Sequence, residues 1–156
     1  MKIKTDRFGE VDFDEGKVIC FLKGIIGFEN YHKFIVIESS KDSPFKWLQS
    51  LKDPSIAFVI CDPWYFFKDY APGIQDEDKH ELEIDSDNDI MLITIATVPK
   101  NITDTTINLL SPILINTKKM IGNQIILYGS KYMSRHKVFY QIKIGKKKPV
   151  TKKSKK

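Results

Sequence analysis

At 156 residues, with 42% hydrophobic and 12% aromatic residues, the chain is long enough for one domain with its own core. It lacks the roughly 20-residue apolar run that crosses a bilayer and the apolar stretch of a secretory signal, so no membrane partner is expected. The formal net charge is +5, but seven of the 25 basic residues lie in residues 146–156, which hold no acid. Residues 1–145 therefore carry 18 basic and 20 acidic residues. We predict a single folded domain over residues 1–145 and a disordered Lys-rich tail over residues 146–156.

Alternating and β-branched segments, separated by turn residues, predict about ten short strands along the chain. In chain order they cover residues 1–5, 11–13, 17–22, 34–37, 45–51, 56–61, 90–98, 105–110, 113–116, 124–128 and 138–144. Residues 52–55 predict a hairpin turn, and residues 76–83 begin with acids and lack β-branched residues at their start, which predicts a short helix. The pattern predicts an all-β, mainly antiparallel fold, a small β-barrel or sandwich with one or two short helices.

Residues 64–70, the aromatic segment, hold five aromatic side chains in seven positions between two prolines. A strand sends alternate side chains to opposite faces, so these rings cannot all enter one core. Exposed rings are typical anchors of protein interfaces. The candidate partner-binding residues of this segment are Trp64, Tyr65, Phe67, Asp69 and Tyr70. In the alternative interpretation, the rings cap the end of a barrel.

Residues 76–89, the acidic segment, carry eight carboxylates and one lysine directly after the aromatic segment. A negative patch beside aromatic anchors would attract a basic protein and orient it. The candidate residues for this role are Glu81, Glu83, Asp85 and Asp87. The alternative interpretation is a solvated acidic loop.

Residue types that carry chemistry do not cluster in this sequence. Cys20 and Cys61 lie in apolar stretches without metal-binding spacing, which indicates two reduced, packed cysteines and a cytoplasmic location. The three histidines are too far apart for a metal site, and no nucleophile or phosphate-binding motif occurs. The sequence therefore predicts a protein that is not an enzyme and that holds no metal or cofactor.

Several motifs, in order along residues 1–130, resemble the FliW family of flagellar assembly factors. They are Gly27-Phe28-Glu29 followed by Phe34, Pro44-Phe45-x-Trp47-Leu48-Gln49-Ser50, Pro54-x-x-Ala57-Phe58-Val59-x-x-Asp62-Pro63, Phe67-x-Asp69-Tyr70, Val98-Pro99, Asn108-Leu109-x-Ser111-Pro112-Ile113-x-Ile115-Asn116 and Gly122-x-Gln124-Ile125-Ile126-Leu127. The resemblance implies a β-barrel-like protein that binds two partners. One is flagellin, held soluble before export, and the other is CsrA, a small basic RNA-binding dimer that silences flagellin messenger. The lysine tail is outside this pattern.

Two functions of other classes stay open on the sequence alone. One is an RNA-binding module that uses the basic tail, which the acidic body and the absence of arginine and aromatic residues in the tail disfavour. The other is a small-ligand-binding β-barrel, which the absence of phosphate or metal motifs weakens. We expect no direct contact with nucleic acid.

Overall fold

The computed structural model describes residues 1–139, which form eleven strands, two short α-helices and three 3₁₀ turns. The strands are β1 (Lys2–Thr5), β2 (Gly9–Asp12), β3 (Ile19–Phe21), β4 (Lys33–Ile37), β5 (Phe45–Ser50), β6 (Ala57–Cys61), β7 (Ile90–Thr97), β8 (Thr106–Ile107), β9 (Ile113–Asn116), β10 (Ile121–Gln124) and β11 (His136–Lys137). The helices are α1 (Pro63–Phe66) and α2 (Asp76–Glu81), and the 3₁₀ turns are Glu15–Lys17, Asp87–Asp89 and Ile102–Asp104.

Seven of these strands close into a barrel in the order β3-β4-β5-β6-β7-β9-β10, with β10 returning to pair with β3. Six of the seven pairings are antiparallel, and only β10 and β3 run parallel. The second half of β7 also pairs with β8, and β8 pairs in turn with β11. Strands β1 and β2 form a separate hairpin. The prediction of an all-β barrel with short helices is confirmed.

Alternate residues of the barrel strands belong to two different cores. One cluster collects side chains from β3, β4, β5, β6, β7 and β9, including Phe21, Phe34 and Leu48, and therefore fills the barrel interior. The other cluster contains Leu92 and Leu114 together with residues of the α1 and α2 region, so it lies on the outer face of β7 and β9. The period-two alternation of these strands separates the two cores, since neighbouring residues point to opposite faces.

Most predicted strands are present, some with shifted ends. The predicted segment 113–116 matches β9, and residues 52–55 join β5 to β6 as expected. The predicted strand 105–110 ends early because the carboxamide oxygen of Asn108 accepts hydrogen bonds from the backbone N–H groups of Leu110 and Ser111, which form a turn.

The prediction of a strand over residues 124–128 is wrong, because β10 lies three residues earlier. The sequence pattern favoured the apolar run that follows Gln124, but Gly122 and Asn123 form the ladder with β9 instead. Ile125 and Leu127 are buried and donate single backbone hydrogen bonds to the carbonyl groups of Pro112 and Leu110. Tertiary packing has overridden local strand propensity here.

The last predicted elements fall at or beyond the end of the described chain. A strand was predicted over residues 138–144, whereas the structure has β11 at His136–Lys137. Residues 140–144, the boundary of the predicted domain at residue 145 and the predicted tail lie outside the described residues. No helix within residues 1–139 has both the length and the apolar character to cross a membrane.

The two cysteines are free thiols, as predicted from their apolar surroundings. Cys61 is buried on the outer face of β6, and Cys20 is half-buried in β3. Burial raises the pKa of the Cys61 thiol to about 11, so this side chain is protonated at neutral pH.

Barrel closure requires a residue without a side chain at Gly122, which lies opposite Phe21 in the parallel pair of β10 and β3. A Cβ atom at Gly122 would lie 2.8 Å from the Phe21 ring and 3.0 Å from the carbonyl oxygen of Leu114. Gly122→Ala should therefore lower the free energy of unfolding by about 1–3 kcal/mol in urea denaturation.

Gly16→Ala is the matched control, because its Cβ would meet only the Asp14 carboxylate, at 3.4 Å. That variant should change the free energy of unfolding by less than about 0.5 kcal/mol. Equal stability of the two variants would contradict the close approach of β10 to β3.

Candidate protein-binding site

The aromatic segment begins with one helical turn whose start is fixed by its sequence. The Asp62 carboxylate accepts a hydrogen bond of 2.9 Å from the backbone N–H of Trp64, which caps α1. Pro63 occupies the first helical position, where the missing N–H costs nothing. Side chains repeat with a different period along this helical turn than along a strand. Consecutive rings of the segment therefore lie in different surroundings.

Two of the five rings belong to the outer core. Tyr70 is 5% exposed, and its hydroxyl donates a hydrogen bond of 2.7 Å to the carbonyl oxygen of Leu109. Burial raises the pKa of Tyr70 well above its usual range, so the hydroxyl keeps the proton that it donates. Phe66 is also buried and stacks on Phe45 of β5, with ring centroids 5.6 Å apart. These two rings are core residues, but they pack on the outer face of β7 and β9 and not on the end of the barrel.

Two other rings remain on the surface in a fixed arrangement. Trp64 is 37% exposed and Tyr65 is 58% exposed. The indole N–H of Trp64 donates a hydrogen bond of 2.8 Å to the carbonyl oxygen of Tyr70, and Tyr65 contacts Phe66 edge-on. Because both rings are already held, a partner that covers them loses little side-chain entropy on binding.

The remaining candidates of the segment differ in exposure. Phe67 is half-buried, with its ring 5.6 Å from the ring of His136, whereas Asp69 is exposed. The exposed members, Trp64, Tyr65 and Asp69, form the surface that a partner can reach. Tyr70 can contribute mainly by holding Trp64.

The acidic segment is fixed to the same outer core as the aromatic segment. Leu82, directly after α2, is fully buried in the cluster that contains Phe66 and Tyr70. The side-chain amide of Asn116 in β9 donates hydrogen bonds to the carbonyl oxygens of Leu82 and Glu83, at 2.8 and 3.2 Å. The exposed carboxylates are thus carried by a backbone that is tied to the barrel.

Lysines pair with three of the four candidate carboxylates, and two of these lysines come from other parts of the chain. Glu81 pairs with Lys23 at 3.0 Å, Asp87 pairs with Lys79 at 3.3 Å, and Glu83 pairs with Lys119. The hydrogen bond from Lys119 lowers the pKa of Glu83, so both groups are charged at neutral pH.

These ion pairs reduce the negative charge that the segment presents. Among the described residues, Asp85 makes no ion pair, and neither do Asp76, Glu77, Asp78 and Asp89. The sequence did not reveal the pairing, because Lys23 and Lys119 lie 58 and 36 residues from their partners. Asp85 is therefore the candidate carboxylate most available to a basic partner.

A metal site is not formed by the part of the chain that the structure describes: no three His, Cys, Asp or Glu side chains there come close enough to hold an ion. The described part of the site presents exposed rings and charged groups.

The hydroxyl of Tyr70 gives a direct test of which rings are structural. Tyr70→Phe leaves the buried carbonyl group of Leu109 without this donor, so the free energy of unfolding should fall by about 1–3 kcal/mol. Tyr65→Phe removes the same hydroxyl from an exposed ring and should change it by less than about 0.5 kcal/mol. Urea denaturation compares the two variants. Equal stability would argue against a structural role for the Tyr70 hydroxyl.

Known proteins of one family resemble this chain over almost its whole length. The family model described as FliW protein matches residues 2–138. Flagellar assembly factor FliW of Caldanaerobacter subterraneus subsp. tengcongensis is 40% identical over 144 residues, which cover 92% of this chain and 96% of that protein. Flagellar assembly factor FliW of Thermosipho africanus is 42% identical over 139 residues, which cover 88% and 95%.

Comparison of the three-dimensional fold with solved structures points to the same family as comparison of the sequence. A crystal structure of the flagellar assembly factor FliW superposes on this structure with a TM-score of 0.83 and 34% sequence identity, covering 89% of this chain and 97% of that chain. With the family model matching 137 consecutive positions, residues 2–138, the protein belongs to the FliW family.

Proposed function

We propose that this protein is a flagellar assembly factor that acts by binding two other proteins, flagellin and a CsrA-type translational regulator. Bound flagellin is kept soluble before export. Once flagellin is exported, the freed protein binds the regulator and removes it from flagellin messenger, so that synthesis follows assembly. The observation that carries this proposal is membership of the FliW family over residues 2–138.

The exposed rings support a role in protein binding. Trp64 and Tyr65 present apolar area that is held in place by contacts with Tyr70 and Phe66. Rigid, partly exposed Trp and Tyr side chains are the residue types most enriched at the centres of protein interfaces. We propose that this surface contacts at least one of the two partners.

The acidic segment supports a basic partner. Its carboxylates outnumber the three lysines that pair with them, so the surface keeps a net negative charge. A CsrA-type regulator, being a small basic dimer, has the complementary charge, and long-range attraction speeds the encounter of such a pair. The same charge repels nucleic acid, which disfavours direct RNA binding by this face.

The packed barrel argues against a ligand in its mouth as the main function. Phe21, Phe34 and Leu48 are fully buried in the interior cluster and fill the space that a ligand would need. Barrels of this size are commonly filled by their own side chains. We therefore place binding on the outer surface of the protein.

The role of the rings is tested by removing Tyr65. Tyr65→Ala should weaken the binding of flagellin or the regulator by roughly 30-fold, because desolvating such an anchor contributes about 2 kcal/mol. Isothermal titration calorimetry with each purified partner measures the change, and Trp64→Ala gives a second test of the surface.

Tyr128→Ala is the matched control, since Tyr128 is an exposed tyrosine outside both segments. It should bind both partners like the wild type. If the Tyr65 and Trp64 variants melt normally and bind both partners at wild-type affinity, the aromatic segment is not an interface.

The role of charge is tested at Asp85, whose reversal breaks no ion pair within residues 1–139. Asp85→Lys should slow association with the CsrA-type regulator several-fold at low salt, and the difference should shrink as salt screens the charges. Association rates on a sensor surface, measured across salt concentrations, give the comparison. Asp42→Lys makes the same change in an exposed turn between β4 and β5 and should have a smaller effect. Equal association rates for Asp85→Lys and the wild type at low salt would contradict the steering role.

A further inference from the structure

An apolar cavity of about 310 Å³ lies on the outer face of β5 and β6. Phe45 and Trp47 of β5 and Val59 of β6 form one wall, on the opposite face of their strands from Leu48 and Ile60, which fill the barrel interior. The remaining apolar lining comes from the loop after β7, whose side chains are exposed at the rim, and from the end of the described chain: Val98, Ile102, Val138 and Phe139.

The described lining favours an uncharged, apolar occupant. No charged side chain is among the described residues that line the cavity, and three of them carry a hydroxyl. The Ser43 hydroxyl accepts a hydrogen bond from the backbone N–H of Phe45, and the Thr105 hydroxyl donates one to the carbonyl oxygen of Ile102. A charged or strongly polar group would lose its hydration there without compensation.

The volume of the cavity indicates an occupant larger than one ring. An apolar cavity of about 150 Å³ stays dry and binds benzene, whereas this cavity has about 310 Å³. Two bulky apolar side chains therefore fit. Because protein interiors are otherwise close-packed, an apolar space of this size calls for an occupant.

The protein's own chain already covers part of the cavity wall. The guanidinium group of Arg7 lies over the Trp47 ring, 4.5 Å from its centroid. Phe8 meets the same ring edge-on, with the two centroids 5.7 Å apart. Both residues belong to the turn between β1 and β2, so a peripheral hairpin packs on this face of the barrel. A second peripheral segment of the same chain would extend this arrangement.

The described chain ends in the lining of the cavity. The backbone N–H of Val138 donates a hydrogen bond of 3.1 Å to the carbonyl oxygen of Thr105, and the Val138 side chain is 1% exposed. Phe139, which follows, lines the cavity and is half-buried. Residue 140 therefore begins one Cα–Cα step of about 3.8 Å from a lining residue. A segment tethered so closely has an effective concentration of about millimolar, which favours it over a free partner of equal intrinsic affinity.

Residues 140–144 have the composition that the cavity favours, with three hydrophobic residues and no acid. Tyr140 and Ile144 are four positions apart, a spacing that places them on one face of either a helix or a strand. They supply the two bulky side chains that the volume accommodates. A tyrosine ring can be buried while its hydroxyl stays at the solvent-exposed rim. Residues 146–156 offer no such pair, because seven of these eleven residues are lysines.

We propose that residues 140–144 of this chain occupy the cavity, with the side chains of Tyr140 and Ile144 packed against the wall that contains Trp47. The cavity is then an intramolecular docking site and not an open site for another protein. The folded domain extends to residue 144, and the lysine-rich residues 146–156 leave from the outer face of β5 and β6. This inference is independent of the proposed function, because its test needs neither partner.

Fluorine NMR of the full-length protein tests where the segment lies. The chain has two tryptophans, Trp47 in the cavity wall and Trp64 in the aromatic segment. Protein labelled with 5-fluorotryptophan should give two ¹⁹F signals, assigned with Trp64→Phe. Ile144→Asn brings an unpaired amide group to the cavity, so it should shift the Trp47 signal and leave the Trp64 signal in place. Thr151→Asn, the matched control in the lysine-rich residues, should move neither signal.

Trypsin tests whether the segment is docked in the unchanged protein. Lys143 lies within the segment, and Lys153 lies in the lysine-rich residues beyond it. Mass spectrometry over time should show cleavage after Lys143 at least tenfold more slowly than after Lys153, because a packed backbone must first open to enter a protease. Tyr140→Asn should speed cleavage after Lys143 at least tenfold, and Thr151→Asn should leave it unchanged.

The possible results separate the occupants of the cavity. Equal cleavage after Lys143 and Lys153 in the wild type would mean that the segment is not docked, and the inference fails. Protection of Lys143 without a shift of the Trp47 signal in Ile144→Asn would place the segment elsewhere, which also overturns it. A Trp47 signal that moves on dilution or on addition of flagellin, but not in Ile144→Asn, would assign the cavity to a second copy or to that partner instead. The proposed function stands in each case.

Discussion

The close approach of β10 to β3 is the contact on which the surface of this protein depends. Only two residue pairs form this parallel ladder, and Gly122 allows it because the Phe21 ring occupies the space of a side chain. The residues after Gly122 then hold the loop that follows β3: the side-chain oxygens of Asn123 and Gln124 accept hydrogen bonds from backbone N–H groups of that loop. Lys23 of the same loop reaches Glu81. Barrel closure is thus connected, through one loop, to the acidic segment.

The outer face of β7 and β9 makes the candidate site rigid. In β9, Leu114 points to the outer core, whereas its neighbours Ile113 and Ile115 point to the interior. The outer core receives Tyr70 from the aromatic segment and Leu82 from the acidic segment. Both segments therefore rest on one close-packed layer, and the exposed side chains between these buried ones are positioned before any partner arrives.

Local pattern in the sequence was sufficient for most of the elements, but not for the position of β10 or for distant contacts. The strand Ile113–Asn116 and the helix at Asp76–Glu81 follow from β-branched alternation and from acids at a helix start. The position of β10 does not, because Gly122 is placed by packing against Phe21 rather than by its own propensity. Likewise, a run of five rings gives no sign that Tyr70 is buried while Tyr65 is exposed, since the α1 turn changes the period.

The rigidity of this platform limits how two partners could influence each other. A close-packed core transmits a signal only if it has two discrete arrangements, and movement of the layer that contains Tyr70 and Leu82 would disturb both the Leu109 hydrogen bond and the Asn116 contacts. Direct overlap needs no such movement. The aromatic and acidic segments are joined by only residues 71–75, and Tyr70 and Leu82 lie in the same buried cluster. Two partners that both contact these segments can therefore exclude each other by direct overlap, without a second arrangement of the core.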